Sequence, residues 1–304
     1  MEYPNVSILT PSYNRSQFIP LIMYNLYNMD YDKSKLEWCI IDDGALPLFT
    51  NETLELAKKF LKPLKINYKY EKVKREIGAK RNALVKMSKY KICIMMDDDD
   101  IYFSSYIKHS VQTMKQNKVG LVGSNHMLFV YPNHNFKISK IECQAMRQIH
   151  EATMCFTKKY FNSMPGFQMS SLGEGAKMID HNEKNSALTN IKLSMICFCH
   201  QGNSFNKEQF YKYKTDIKIK NLDLLKILEG ISGINYIENK PDSDEDIDDS
   251  ISIDNSIEMD QGNEMDNSIE MDQGNEIDNS IEMDKGIEID NSIEMDKGIE
   301  IGDT

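Results

Sequence analysis

The chain lacks several features that would settle its class at once. No stretch reaches the roughly 18 apolar residues a membrane-spanning helix needs, and the opening Met1-Glu2-Tyr3-Pro4-Asn5 is no signal peptide. The expectation is therefore a cytoplasmic protein that neither inserts in a membrane nor is secreted. Paired cysteine spacing is also missing. Cys39, Cys93, Cys143, Cys155, Cys197 and Cys199 sit in apolar, strand-like surroundings, as buried reduced thiols do. Cys197-Phe198-Cys199-His200 invites a zinc site, but a tetrahedral one calls for a second pair and there is none. No Gly-rich loop follows the first apolar run, which argues against a nicotinamide dinucleotide or P-loop site. No RNA-binding motif appears either.

What is present falls into two unlike pieces. From Ile237 onward there are 24 acidic and 3 basic residues, a net charge of −21. The first 236 residues hold 33 Lys and Arg against 23 Asp and Glu, a net +10, and suit one large α/β domain with a buried core. That modest positive charge, beside an acidic tail that competes for it, does not point to nucleic acid. Within 237–304 a twelve-residue unit recurs four times over 254–301, beginning Asp254-Asn255-Ser256-Ile257-Glu258-Met259. Each unit has three or four apolar residues among four carboxylates, too few to offset the entropy of ordering. A disordered tail is expected, and its charge suits loose, salt-sensitive contact with basic partners. A calcium repeat is the other use of such residues, but the spacing does not supply the ligand loop.

The front half alternates strand and helix. Val6 to Thr10, Trp38 to Ile41, Ile66 to Tyr70, Ile92 to Met96 and Val119 to Val122 read as strands. Helical spacing covers Gln17 to Asn28, Asn51 to Leu61 (with Asn51 as cap), Gly78 to Ser88 and Tyr106 to Lys115. Such alternation predicts a mostly parallel sheet. The polar signals stand where strands end, the edge that forms the ligand crevice. Asp42-Asp43-Gly44 follows the second strand and Asp97-Asp98-Asp99-Asp100 the fourth. Four adjacent carboxylates repel one another unless a solvated loop or a counter-charge relieves them. Alternation along an extended chain aims Asp97 and Asp99 the same way. That pair suits Mg2+ or Mn2+ with sites left for a diphosphate.

Four segments, in order, resemble family 2 glycosyltransferases. Ser7-Ile8-Leu9-Thr10-Pro11-Ser12-Tyr13-Asn14-Arg15 is similar to their opening strand, and Ile40-Ile41-Asp42-Asp43-Gly44 to their second-strand motif. Gly78-Ala79-Lys80-Arg81-Asn82 and Met96-Asp97-Asp98-Asp99-Asp100 resemble the next two. The resemblance implies a GT-A type, Rossmann-like fold and an inverting, metal-dependent transfer from a nucleotide sugar, UDP-linked, to a hydroxyl of a glycan, protein or lipid. It implies Asp43 at the base, and Pro11, Tyr13 and Arg15 closing over the nucleotide. Arg81 and Asn82 lie near ribose and diphosphate, Asp97 and Asp99 at the ribose hydroxyl and the Mn2+ or Mg2+.

Further along, Pro165-Gly166-Phe167 precedes Gly173-Glu174-Gly175, where the family usually carries Gly-Glu-Asp. Gly175 stands in place of the Asp, so Glu174 is the expected base and Asp180 the second choice. Glu174 is equally a residue to open a helix over Ala176 to Asn185. His200, ahead of Gln201-Gly202-Asn203-Ser204, resembles a late segment whose His approaches the metal. His126, His134, His150 and His181 read as surface or packing residues. Two other classes compete: a catalytically inactive donor-binding scaffold, suggested by the missing Asp, and a nucleotidyltransferase, which lacks its Gly-rich basic loop here. Abundant Ile, Lys and Asn with little Ala suit an AT-rich genome. A large DNA virus fits, with the protein in host cytoplasm or virion; so do protists and bacteria.

Overall fold

The computed structural model describes residues 2–203 and 206–237; the repeats over 254–301, and with them the expectation of a disordered tail, lie outside the described residues. The chain opens with β1 (Val6–Ser12), α1 (Ile19–Asn28), β2 (Leu36–Asp42), α2 (Asn51–Phe60), β3 (Lys65–Tyr70), α3 (Ile77–Met87) and β4 (Ile92–Met95). β5 (Ile101–Tyr102), α4 (Tyr106–Asn117), β6 (Leu121–Gly123), β7 (Met127–Tyr131) and β8 (Lys137–Ile141) follow. β9 (Cys155–Thr157), α5 (Lys158–Asn162), β10 (Ser186–Leu188), β11 (Met195–Phe198) and α6 (Leu222–Ser232) complete it.

Seven strands form the main sheet in the order β10-β6-β9-β4-β1-β2-β3. Its pairs are parallel except at β9, which runs antiparallel between β4 and β6. A smaller sheet has the order β5-β11-β7-β8. Alternation along each central strand feeds both faces. Ile8, Trp38, Ile40 and Ile94 pack on one side with Leu21 and Leu26 of α1 and Val111 of α4. Leu9, Cys39, Ile41, Cys93 and Met95 pack on the other with Leu84 and Val85 of α3. Each such aliphatic side chain contributes about 1.5–3 kcal/mol on burial. All six cysteines are free thiols, four of them buried. No described helix is long and apolar enough to cross a membrane.

Three local expectations are corrected. β1 runs on through Pro11 to Ser12, beyond the expected stop. Its pairing with β4 ends at Leu9, so a residue without an N–H is tolerated there. α2 is capped by Thr50 and not Asn51: Thr50 Oγ1 accepts the Thr53 N–H at 3.2 Å while Thr53 Oγ1 accepts the Thr50 N–H at 2.9 Å. The helix expected over Ala176 to Asn185 is absent. Two 3-10 turns, Ala176–Met178 and Glu183–Asn185, stand there instead, separated by His181 at a left-handed φ of 59°.

Candidate active site at the strand ends

Thr10 fixes where the central strands end. Its hydroxyl donates to the Met96 carbonyl at 2.7 Å and accepts the Trp38 Nε1–H at 2.9 Å, tying β1, β2 and the end of β4 together. Beyond that knot lies a cleft of about 600 Å³, lined among others by Pro11, Tyr13, Arg15, Arg81, Asp97 and Glu174. Asn14 turns the β1 loop at φ 54° and accepts the Ala45 N–H at 2.7 Å. A Cβ at Gly44 would stand 2.9 Å from the Asn14 nitrogen, which explains the glycine after the Asp pair.

The two β2 carboxylates have separate jobs. Asp42 shapes the loop, accepting the N–H groups of Gly44 at 3.0 Å and Leu48 at 2.6 Å and the Tyr68 hydroxyl at 2.8 Å. Asp43 accepts the Arg75 N–H at 2.6 Å and Lys80 Nζ at 2.7 Å, and its side chain is 0% exposed. It stands behind the cleft wall, while Arg75 and Lys80 face the cleft. Lys80 also donates to the Ser12 carbonyl at 2.8 Å. Its Nζ lies 5.8 Å from the centre of the Tyr13 ring, over which Lys74 Nζ sits at 4.1 Å.

Arg81 is the hub of the next group. Its two terminal nitrogens donate to both oxygens of Asp97 at 2.9 and 3.0 Å, and its Nε donates to Glu174 Oε1 at 2.9 Å. Burial works against the guanidinium charge, but Asp97 and Glu174 outweigh it and raise its pKa. Burial also pushes the Glu174 carboxyl up; Arg81 opposes this and the charge of Glu151 adds to it.

The remaining aspartates divide by depth. Asp99 Oδ2 receives Arg15 at 3.0 Å and His200 Nε2 at 3.0 Å. Burial alone would raise Asp99, yet the His200 hydrogen bond and Arg15 hold it down at about 2. His200 Nδ1 accepts the Gly202 N–H at 3.0 Å, so the neutral ring carries its proton on Nε2 and donates it to Asp99. Asp98 is pushed up by burial, then by Asp99, and its Oδ2 makes no hydrogen bond among the described residues. Asp100, pushed up to about 7 by burial and Asp99, accepts the Phe198 N–H at 3.1 Å. Among the described residues no three His, Cys, Asp or Glu groups are clustered to hold a metal.

The sequence profile described as Glycosyl transferase family 2 matches residues 7–172, which carry the strand-end motifs. The chain belongs to that family. Glycosyltransferase AglE of Haloferax volcanii is 26% identical over 150 residues, 49% of this chain and 48% of the archaeal protein. Poly(ribitol-phosphate) beta-N-acetylglucosaminyltransferase TarS of Staphylococcus aureus is 26% identical over 97 residues, 31% of this chain and 16% of TarS. The chain thus spans about half of one curated relative and a small part of the other. Among solved structures, S. aureus TarS 1-349 with UDP-GlcNAc superposes at a TM-score of 0.50 and 17% identity, covering 69% of this chain and 64% of that one. Mannosyltransferase PcManGT from Pyrobaculum calidifontis with GDP-Man and Mn2+ gives 0.50 and 16%, covering 70% and 60%. At these identities the likeness is one of fold, and the fold is GT-A.

Within that fold the late residues scatter more than the early ones. Asn82 turns away from the cleft: its amide spans the Phe167 backbone, accepting the N–H at 2.9 Å and donating to the carbonyl at 2.8 Å. Asp180 is exposed beside His181 and does not line the cleft. Glu174 and His200 do come to the strand ends. Several lining residues went unnoticed in sequence, among them Lys74, Arg75, Lys80, Glu151 and Lys207. Lys80 had a signal, since it lies between the Gly and the Arg of a motif already singled out. Glu151 and Lys207 had none, because nothing near them in sequence marks a site. His150, read as packing, also borders the cleft.

Proposed function

We propose that the protein is an inverting glycosyltransferase that moves a sugar from a nucleotide-sugar donor, UDP-linked, to an acceptor hydroxyl with the help of Mn2+ or Mg2+. The observation that carries this reading is the convergence of Arg15, Arg81, Asp97 and Asp99 on one cleft at the ends of β1 and β4 in a chain of this family. Support for the donor class comes from fold neighbours solved with UDP-GlcNAc and with GDP-Man and Mn2+.

The residue roles follow from placement. Tyr13 offers a ring face for the base. Asp43 acts from behind by fixing Lys80 and the Arg75 backbone at that side of the cleft. Arg15 and Arg81 are the cations for the diphosphate. Asp97, Asp99 and His200 are the residues that would hold a divalent ion. The three are not clustered as a ready-made site and Arg81 holds both Asp97 oxygens; the set fits in kind only because such ions need one or two carboxylates when diphosphate and water fill the remaining positions. His200 serves as a direct ligand only once its Nε2 proton has left; as placed, it orients Asp99. When bound, the ion would stabilise charge on the departing diphosphate. The domain is assigned to residues 1–236 and the acidic repeats to a separate tail.

A thermal-shift titration with UDP and GDP tests this reading. Stabilisation should appear with Mn2+ or Mg2+, with UDP ahead of GDP, and vanish in EDTA. Equal stabilisation in EDTA would remove the metal from the scheme. Binding without any turnover would favour the inactive donor-binding scaffold, for which Gly175 in place of an Asp is the specific observation.

A further inference from the structure

Two carboxylates stand side by side on the late wall of the cleft, and their surroundings differ. Glu174 is 5% exposed and spends Oε1 on the buried Arg81 Nε. A proton taken on its other oxygen would cancel the charge that pairs with Arg81 and leave Asp97 alone to balance that cation. Glu151 opens a 3-10 turn just ahead of β9, is half-buried and lines the same cleft. Its Oε1 accepts the Gly175 N–H at 3.0 Å. Among the described residues no cation pairs with it, and no hydrogen bond reaches its Oε2.

Gly175 has an ordinary right-handed backbone, φ −84° and ψ −10°, so no backbone strain demands glycine there. Space does. A Cβ built at Gly175 would lie 2.5 Å from Glu151 Cγ and 3.0 Å from Glu151 Oε1, with the tip of Met154 at 2.9 Å as the other neighbour. The Glu151 side chain therefore occupies the volume into which a residue at 175 would project. Where the resemblance would place a carboxylate at 175, the carboxylate in that space belongs to a residue 24 positions earlier.

We infer that Glu151 is the catalytic base of the transfer, supplying from the turn before β9 the carboxylate that Gly175 cannot. The inference rests on the nucleotide-sugar reading of the cleft. In the step, the acceptor O–H proton passes to Glu151 as the acceptor oxygen bonds to the anomeric carbon. The bond from that carbon to the diphosphate oxygen breaks, and its electron pair leaves on the nucleoside diphosphate. Glu174 then holds Arg81 in place and is a positioning residue.

The test measures two quantities on the full chain with Mn2+: UDP affinity, and UDP release from UDP-linked sugars with water as acceptor. Glu151→Gln keeps the Gly175 hydrogen bond but loses basicity. UDP release should fall about a hundredfold, with UDP affinity within twofold of the parent. Glu174→Gln should lose less. Gly175→Asp alone should be poorly active, since its side chain meets Glu151. Combined with Glu151→Ala, which removes the nearest obstacle and leaves only the flexible tip of Met154 to shift, it should return release to within about tenfold of the parent. Glu151→Gln at the parent rate, or Glu174→Gln the more damaged of the two, overturns the assignment. So does a double variant that binds UDP but releases it no faster than Glu151→Ala. A parent chain that binds UDP yet turns over no UDP-sugar overturns the transfer reading itself, and Glu151's role with it.

Discussion

The two walls of the cleft are built in different ways. The wall formed by β1, β2, β4 and α3 consists of regular elements, and its charges are matched in buried or half-buried pairs: Asp43 with Lys80, Asp97 with Arg81. The wall contributed by residues 150–203 and 206–207 is made mostly of short 3-10 turns and short strands, with the five-residue α5 among them, and there Glu151 faces the cleft with no cation paired to it among the described residues. Matched charges hold a rigid receptor for a charged ligand. An unmatched carboxylate on a turn is suited to exchange a proton. On the assignment of Glu151 proposed above, the regular wall carries the receptor for the charged donor and the irregular wall the group that takes the proton.

The largest way to break this contrast is at Arg81, which crosses from one wall to the other. Arg81→Met leaves Asp97 and Glu174 without their shared cation. Breaking a buried pair costs about 3–5 kcal/mol; with Asp97 20% exposed, the lower end is expected in urea denaturation. A loss under about 1 kcal/mol would show that the hub is not structural. Next comes Asp99→Asn, which should weaken UDP binding in Mn2+ about a hundredfold, or about 2.7 kcal/mol, while binding in EDTA stays as weak as the parent's. An unchanged Mn2+ dependence would move the ion elsewhere. Smaller again is Tyr13→Ala, where loss of a stacking face should weaken UDP by about 1–3 kcal/mol with thermal stability nearly intact. Isothermal titration reads this, and unaltered affinity would take the base away from Tyr13. Smallest is truncation after Ile237. Asn135 holds that residue with hydrogen bonds of 2.8 and 2.9 Å, so a cut beyond it should change unfolding free energy by less than about 0.5 kcal/mol. A marked drop would mean that the repeats support the domain.

The same contrast governs what could be read from the sequence. The strand–helix alternation and the acidic strand ends were legible because period, burial and position coincide there: Asp42-Asp43-Gly44 and Asp97 to Asp100 each follow a buried apolar run. Partners were not legible. Nothing local says that Asp43 meets Lys80, or that Arg81 reaches Glu174 across 93 residues. The stretch after Glu174 carried a helical residue pattern, yet His181 breaks it into turns. Asn82 sits in a motif but spends its amide on Phe167, a contact between segments 85 residues apart. Glu151 had no pattern around it, and only the space beside Gly175 marks it out.

Proton NMR of the first sugar released from an α-linked UDP-sugar by the full chain with Mn2+ tests the central claim most directly. Transfer to water by in-line displacement predicts that the β anomer appears first, before mutarotation, and that release stops when EDTA is added. An α anomer as the first product, or no release from any nucleotide sugar under conditions where UDP binds, would contradict inverting glycosyl transfer at this cleft.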